Sequence, residues 1–278
     1  MLLLGIAIIA VMAAVSLRRG YMDVGGVIAA AAVGTIVLLG GFHMLVAMVA
    51  FFVSSSILTR LRYEAKAAAG VAEKPSGRSY RQVLGAGGVA AAISALIALR
   101  RANLLAHNSA CGVLAVAFLG ALSTSTADTW AVEVGVLSES QPRLIVAPWR
   151  RVPRGASGGI TLLGEAASAL GASFMGLIAY LLATSGGLGV EPLKCLVAVT
   201  VAGFVGEKVD SVLGATLQAR YYCPRCRVIT DARVHKCGRA TVLKGGLPWF
   251  TNEAVNVVST AVGALLAALL YAAMAQGI

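Results

Sequence analysis

Apolar runs close to the ~20 residues needed to cross a bilayer recur along this chain, separated by shorter polar segments. Their periodicity and length predict eight spans, at 2–17, 24–41, 43–58, 83–99, 104–122, 157–184, 193–218 and 252–275. The implied fold class is all-α, a polytopic membrane helix bundle of seven or eight transmembrane helices, in one integral membrane domain over residues 1–278. Gly, Ala and Ser are dense inside the runs, as in GGVIAAAAVG and GAGGVAAAISA. Small residues let membrane helices approach closely, so these stretches are read as packing surfaces.

Polar residues interrupt the apolar pattern at three places. From Ser123 to Gly164, a hydroxyl-rich run leads into Asp128 and Glu133; Arg143, Arg150, Arg151 and Arg154 follow, and Gly155-Ala156-Ser157-Gly158-Gly159 opens the next apolar run. Carboxylates, arginines and flexible backbone beside apolar spans are the means of holding phosphates and a divalent cation at a bilayer surface. The glycine turn lacks the Lys-Ser/Thr of a Walker loop. Coming after arginines and before a span, it is expected to form an anion nest at a helix N-terminus. Asp128 and Glu133 are five apart and do not cleanly share a helical face, so both reach one metal only if the helix breaks or groups around the ligands help. Glu133 is equally readable as a helix-surface residue. Glu165, one turn into the sixth span, has Thr161 and Ser168 as helical neighbours that can satisfy it.

In the seventh span Gly203, Glu207, Asp210 and Gly214 recur at i, i+4, i+7 and i+11, one face of a helix. A carboxylate at mid-membrane costs at least ~2.5 kcal/mol, so it should face a cavity or a partner. Glu207 can instead lie at the water interface, neutralised by Lys208. In the last span Asn252, Asn256, Ser259 or Thr260, and Gly263 share a face, just after a basic loop, which favours a lining role over simple helix–helix hydrogen bonding.

Composition strengthens the membrane reading, with 58% hydrophobic and 13% charged residues, where soluble domains carry about 25% charge. The net charge of +11 does not imply nucleic acid. No nucleic-acid-binding motif is present, and the cations sit between spans, as in Arg60, Arg62, Lys66, Lys74, Arg78 and Arg81, while the turn at Gly40–His43 has none. Alternation puts Arg18–Arg19 and the 59–82, 123–156 and 219–250 loops on one face, expected to be cytoplasmic, with the N-terminus outside. Arg100–Arg101 is the exception. The first run has no basic segment before it, so it is read as a span and not a secretory signal.

Cys111 and Cys195 stand alone in apolar sequence, as buried packing residues do. The other three cysteines form Cys223-x2-Cys226-x8-His235-x-Cys237 in the 219–250 loop. Three thiolates and an imidazole can close a tetrahedral Cys3His site, so structural Zn²⁺ is expected. A redox Cys-x-x-Cys would need neither His235 nor Cys237.

At the level of motifs the chain resembles the membrane family of plant phytyl-phosphate kinase and its bacterial, archaeal and animal relatives. The resemblance is carried by Phe51-Phe52…Ser55-Ser56…Thr59, Gln82-Val-Leu…Gly87-Gly88, Ala127-Asp-Thr-Trp-Ala…Glu133-Val-Gly135 and Pro142-Arg-Leu. It continues through Val152-Pro…Gly155…Ser157-Gly-Gly-Ile-Thr…Gly164, Asp210-Ser…Leu-Gly214-Ala-Thr…Gln218 and Asn252…Val255-Asn256…Ser259. It implies a kinase that uses a nucleoside triphosphate, CTP by analogy with related phytol and dolichol kinases, to convert an isoprenoid monophosphate into its diphosphate. An Asn usual after the Gln82 block is replaced here by Gly85 or Ala86, and neither Glu165 nor Glu207 belongs to the family pattern.

Phosphoryl transfer to a lipid monophosphate needs little base catalysis, since the nucleophilic oxygen is already anionic; it needs charge neutralisation and alignment. The expected site has Asp128 and Asp210, supported by Glu133, holding Mg²⁺. Arg150, Arg151, Arg154 and Ser157, Gly158 and Gly159 would cradle phosphates, with Asn252 and Asn256 completing the lining. The partners are then a lipid phosphate and a nucleoside triphosphate within the membrane, with no nucleic acid; homo-oligomerisation is left open. A lipid cytidylyltransferase, a prenol kinase and a membrane transporter are the rival functions. The transporter is disfavoured because no inverted repeat is present.

Overall fold

The apolar runs become eight long helices and one short one in the computed structural model, which describes residues 1–68, 77–104, 111–235 and 237–276. In order they are α1 (Leu2–Arg19), α2 (Val24–Gly40), α3 (Phe42–Arg60), the short α4 (Tyr63–Ala68), α5 (Tyr80–Arg101), α6 (Cys111–Gly135), α7 (Leu162–Thr184), α8 (Pro192–Thr216) and α9 (Asn252–Ala275). Six are long and apolar enough to cross a membrane, and α2 is apolar but has 17 residues. Every 18-residue stretch of α8 carries at least three charges from Lys194, Glu207, Lys208 and Asp210. The predicted seventh span is where charge enters the bundle.

Local chemistry sets the helix ends. Arg18 and Arg19 occupy the last turn of α1, and Gly20 closes it in the left-handed conformation (φ 63°). Asp23 caps α2 by accepting from the Gly26 amide at 2.6 Å. Gln82 Oε1 accepts from the Ser79 amide at 2.9 Å in a capping box, which starts α5 three residues before the predicted span. Of the predicted fifth span, residues 105–110 lie outside the described residues, as does Lys74. Helix α6 runs unbroken from Cys111 through Asp128 and Glu133 to Gly135.

The sixth span is corrected. It was expected to begin at residue 157, but α7 begins at Leu162, where Thr161 Oγ1 accepts from the Gly164 amide at 3.0 Å. Residues 154–158 instead form turns with Gly155 and Gly158 at φ 76° and 73°, conformations that stop a helix. Residues of the two longest polar loops build small antiparallel sheets within the otherwise helical fold. β1 (Arg143–Leu144) pairs with both β2 (Ala147–Arg151) and β3 (Gly159–Ile160). β4 (Arg220–Cys223) pairs with both β5 (Val228–Thr230) and β6 (Val242–Gly245).

The core is built around α6, buried continuously from Ala115 to Ala127. Its small residues do what was expected of them: a Cβ at Gly120 would strike Ala267 and Gly263 of α9, and one at Gly206 of α8 would strike Thr124. The hydroxyl run serves the helix itself, since Thr124, Thr126 and Thr129 donate to the carbonyls of Gly120, Leu122 and Ser125 at 3.1, 2.7 and 2.8 Å. Contacts of Gly41 with Arg101 and of Gly187 with His43 lie at one end of the bundle, and both sheets lie at the other. Among the described residues only Arg100, Arg101 and Lys194 place side-chain cations at the first of these ends. The exception at Arg100–Arg101 is therefore real and not a misdrawn span.

Candidate functional site

At the basic end, α5, α6, α7, α8 and α9 and the turn before α7 surround a cavity of about 310 Å³. Its wall contains Asp128, Glu133, Glu165, Glu207 and Asp210, together with Arg78, Thr129, Ser157, Gly158, Gly159, Ser211, Gln82, Gln218, Asn252 and Asn256. The breaks in the apolar pattern thus converge. The turn does so because Gly158 packs onto α8, where a Cβ would meet the Ser211 carbonyl at 2.7 Å and collide with Ala215 at 2.5 Å. Part of its amide capacity is spent internally: Ala156 and Gly159 donate to Pro153 O at 3.2 Å and Ala156 O at 2.9 Å. The expected anion nest is therefore a turn laid against α8 that ends shortly before Thr161, the N-cap of α7.

Asp210 is held between α8 and α9. Ser259 Oγ donates to its Oδ2 at 2.7 Å, and the Asn256 amide, oriented by its surroundings, donates to the same oxygen and to Asn252 O, both at 3.2 Å. The Asn-Ser stripe of α9 thus positions a carboxylate of α8. Asp128 is half-buried and interacts electrostatically with Asp210 and Glu207 as like charges, and with Arg78 and Lys208 as opposite ones. Glu207, for which a cavity and the water interface were both open, is 2% exposed. Ser168 Oγ and Ser211 Oγ each donate to it at 2.9 Å, and Lys208 bridges Glu207 and Glu165. Glu165 therefore finds its partner on α8 and not in the hydroxyls of its own helix.

Glu133 has a different task. It pairs at 2.5 Å with Lys66, a side chain 2% exposed that also donates to Leu58 O at 2.7 Å. That pair fastens α4 and the end of α3 to α6. Arg150, Arg151 and Arg154 are absent from the cavity wall. The first two are exposed on β2, and Arg154 reaches the carbonyls of Val136 and Glu139 at 3.3 and 3.4 Å. The cations beside the carboxylates are Arg78 and Lys208. Arg78 also donates to Thr59 Oγ1 at 3.2 Å and bridges by its backbone to Met22.

Among the described residues, the three carboxylates do not form a tight metal cage; the group of metal-ligand atoms lying within 4.8 Å of one another is Cys223, Cys226, His235 and Cys237. Cys223 Sγ is 3.7 Å from Cys237 Sγ, close to the ~3.8 Å edge of a tetrahedron with Zn–S bonds of ~2.3 Å. His235 Nδ1 lies 3.3 Å from Cys237 Sγ. The hydrogen bond from His235 pulls the Cys237 thiol down to about 6, while hydrogen bonding to Cys237 and then burial push Cys226 up to about 11. Cys223 ends β4, and the turn after it closes through Arg227 N donating to Cys223 O at 2.8 Å. This four-ligand cluster can hold a metal, and its all-protein coordination matches a closed structural site.

The integral membrane protein family DUF92 matches residues 7–264 of the chain. The chain belongs to that family. Among curated relatives, Protein PGR of Arabidopsis thaliana is 29% identical over 259 residues, covering 88% of this chain and 87% of its own. An uncharacterized membrane protein of Methanocaldococcus jannaschii is 29% identical over 97% of this chain and 94% of its own. Protein VTE6, chloroplastic, of Arabidopsis thaliana is 24% identical over 80% of this chain and 56% of its own. No solved structure shows a significant match.

Proposed function

We propose that this DUF92 protein is a phosphotransferase that converts an isoprenoid monophosphate into its diphosphate at the expense of a nucleoside triphosphate, CTP by the motif resemblance. The observation that supports it is the chamber at the basic end of the bundle, where Asp128, Glu207 and Asp210 share the wall with Arg78, and Lys208, outside the wall, pairs with Glu207 and Glu165. Anions alone would repel phosphates and cations alone would only bind them, whereas the mixture suits a phosphate–metal assembly. In this reading an oxygen of the lipid monophosphate attacks the γ-phosphorus of the nucleotide. The new P–O bond forms as the bond to the β-phosphate breaks, and the nucleoside diphosphate leaves.

Mg²⁺ keeps several waters and is commonly bound by one or two carboxylates plus substrate phosphates, so it does not need the tight cage that the chamber lacks. Asp128 and Asp210 are the residues that would hold it, and its chemistry would be neutralisation of the phosphate oxygens. Both protein bonds to Asp210 fall on Oδ2, which orients the carboxylate. Arg78 and Lys208 add positive charge, and the Ser157–Gly159 turn offers small, close-approaching backbone to a phosphate. The basic end is assigned to the cytoplasm, where nucleotide is available.

The test is a product assay on detergent-purified protein with Mg²⁺, several nucleoside triphosphates, and geranylgeranyl phosphate beside geranylgeraniol. Lipid diphosphate together with nucleoside diphosphate is the expected product pair. A CDP-lipid with released pyrophosphate would mean a cytidylyltransferase, monophosphate from the alcohol would mean a prenol kinase, and solute uptake by proteoliposomes without nucleotide would mean a transporter.

A further inference from the structure

A second cavity, of about 100 Å³, lies between α1, α2, α3 and α5, and its wall is almost wholly apolar, including Met12, Val27, Val33, Leu45 and Phe51. It shares Arg78, Gln82 and Ala86 with the polar chamber. The two spaces therefore meet at one threshold, polar on one side and hydrocarbon on the other. We propose that this apolar cavity receives the single hydrocarbon tail of the lipid whose phosphate lies in the polar chamber, with Arg78 and Gln82 at the junction of headgroup and tail. The proposal rests on reading the polar chamber as the phosphotransferase site.

The packing of α1 explains how a tail would enter. Only Gly5 and Ser16 of this helix are buried, and most of its apolar residues are exposed. It is fastened at two levels. Deep in the bundle Gly5 lies against Leu38, and Gly34 is 3.3 Å from Ile9 by its would-be Cβ. At the basic end Arg60 Nη2 donates to Arg19 O at 2.8 Å and to Gly20 O at 2.5 Å. Between these contacts Met12, Ala13, Ala30 and Ala31 line the cavity, and a tail would enter from the bilayer past these residues. Gly34 lies ten residues into α2 from its basic end, about 15 Å at ~1.5 Å per residue, roughly half of the ~30 Å hydrocarbon thickness. A phosphate held at the basic end would therefore hang its tail inward along α2, and the residues at mid-depth would meet the tail and sense its length.

The experiment combines turnover with photolabelling in purified protein. Ala30→Phe fills the cavity about 9 Å from the basic end at ~1.5 Å per residue, Ala31→Leu fills it less severely, and Ala32→Phe, on an exposed position beside Ala31, is the control. Relative to the wild type, A30F and A31L are expected to reduce turnover of geranylgeranyl phosphate by about tenfold or more, the loss expected when two or more methylenes give up buried surface, while A32F changes little. Geranylgeranyl phosphate carrying a terminal diazirine should label peptides of α1, α2 or α3, with protection by the unlabelled phosphate but not by geranylgeraniol. Turnover with labels confined to other helices, and with A30F and A31L matching A32F, would overturn the tail site while leaving the proposed reaction standing. Protected labelling of these helices without phosphorylation of any prenyl phosphate would support the tail site and overturn the reaction. Labelling that the phosphate fails to protect would reduce the cavity to a lipid-filled crevice.

Discussion

At Asp210 a single carboxylate oxygen receives Ser259 and Asn256 from another helix, an arrangement that fixes its direction across the α8–α9 crossing. Replacing Asp210 or Asp128 with Asn keeps the volume and removes the charge. Each change is expected to lower kcat/KM by about 10²–10³, the scale of losing a preorganised electrostatic group, whereas S259A, which leaves the carboxylate in place, should cost less. R78A belongs with the severe variants and R150A with the mild ones, because Arg78 is in the chamber wall and Arg150 is exposed on β2. Parallel steady-state kinetics on these five proteins checks the ranking, and equal losses for R78A and R150A would sink it. Sequence alone pointed to arginines that lie outside the chamber wall for a physical reason: a cation in a basic loop already has a sufficient explanation in membrane topology, and nothing local pairs Arg78 with a carboxylate fifty positions on. Glu133 was legible as a charge near Asp128, but its partner Lys66 was hidden in another loop. Removing one member of a buried pair costs about 3–5 kcal/mol. E133A should therefore lower the thermal midpoint strongly, and E133L combined with K66M should recover most of it. Thermal scans with and without the second substitution separate this from metal binding, in which the double variant would stay inactive even when stable.

The helices were readable because a bilayer-length apolar run has few alternatives; their ends erred where a cap intervened, as Gln82 does for α5 and Thr161 for α7, and where a helix continued through polar residues, as α6 does beyond the predicted end at 122 to Gly135. The two small sheets were not readable: strands of two to five residues inside polar loops carry no periodicity long enough to detect. The cysteine spacing stood out, and the fold accounts for its use. The loop between α8 and α9 leaves at Gln218 and returns at Asn252, both in the chamber wall, and is tied at its base by Leu247 N to Leu217 O and Ala219 N to Phe250 O, each 2.9 Å. A metal in the Cys3His cluster would stiffen that tie. Zinc bound there must compete with protons for the thiolates. Cys237, with a pKa of about 6, is already a thiolate at pH 7.5, whereas Cys226, at about 11, must release a proton on binding. Bound zinc, measured by elemental analysis after desalting, is expected near one per chain at pH 7.5 and to fall as the pH drops below about 6. Chelation at pH 7.5 should lower activity severalfold with helical content retained. Zinc content independent of Cys223 and Cys237 would remove the assignment.

Across the whole molecule, charge and chemistry are segregated to the same end. The chamber, both sheets and nearly all described Lys and Arg lie there, while the opposite end has Arg100, Arg101 and Lys194. The asymmetry has two causes that reinforce each other, since basic loops are retained in the cytoplasm during insertion and a phosphate-handling site needs cations. It yields a topology that can be measured. Cys226 is exposed at the basic end, whereas Cys111, expected to be buried, is only half-buried at the far end, so a C111S variant should react with a membrane-impermeant maleimide only after cells are opened. Ser185, exposed in the turn between α7 and α8 at the far end, should when changed to Cys add labelling that is already complete in intact cells. Zinc held in the cluster would protect Cys226 in part, so the lysed arm is read with and without chelator; the S185C arm needs no such correction because no thiol pairs with it. If S185C were silent until lysis while Cys226 reacted in intact cells, the chamber would open away from the nucleotide pool. The phosphotransferase reading would then lose its substrate supply, whatever the geometry of Asp128 and Asp210.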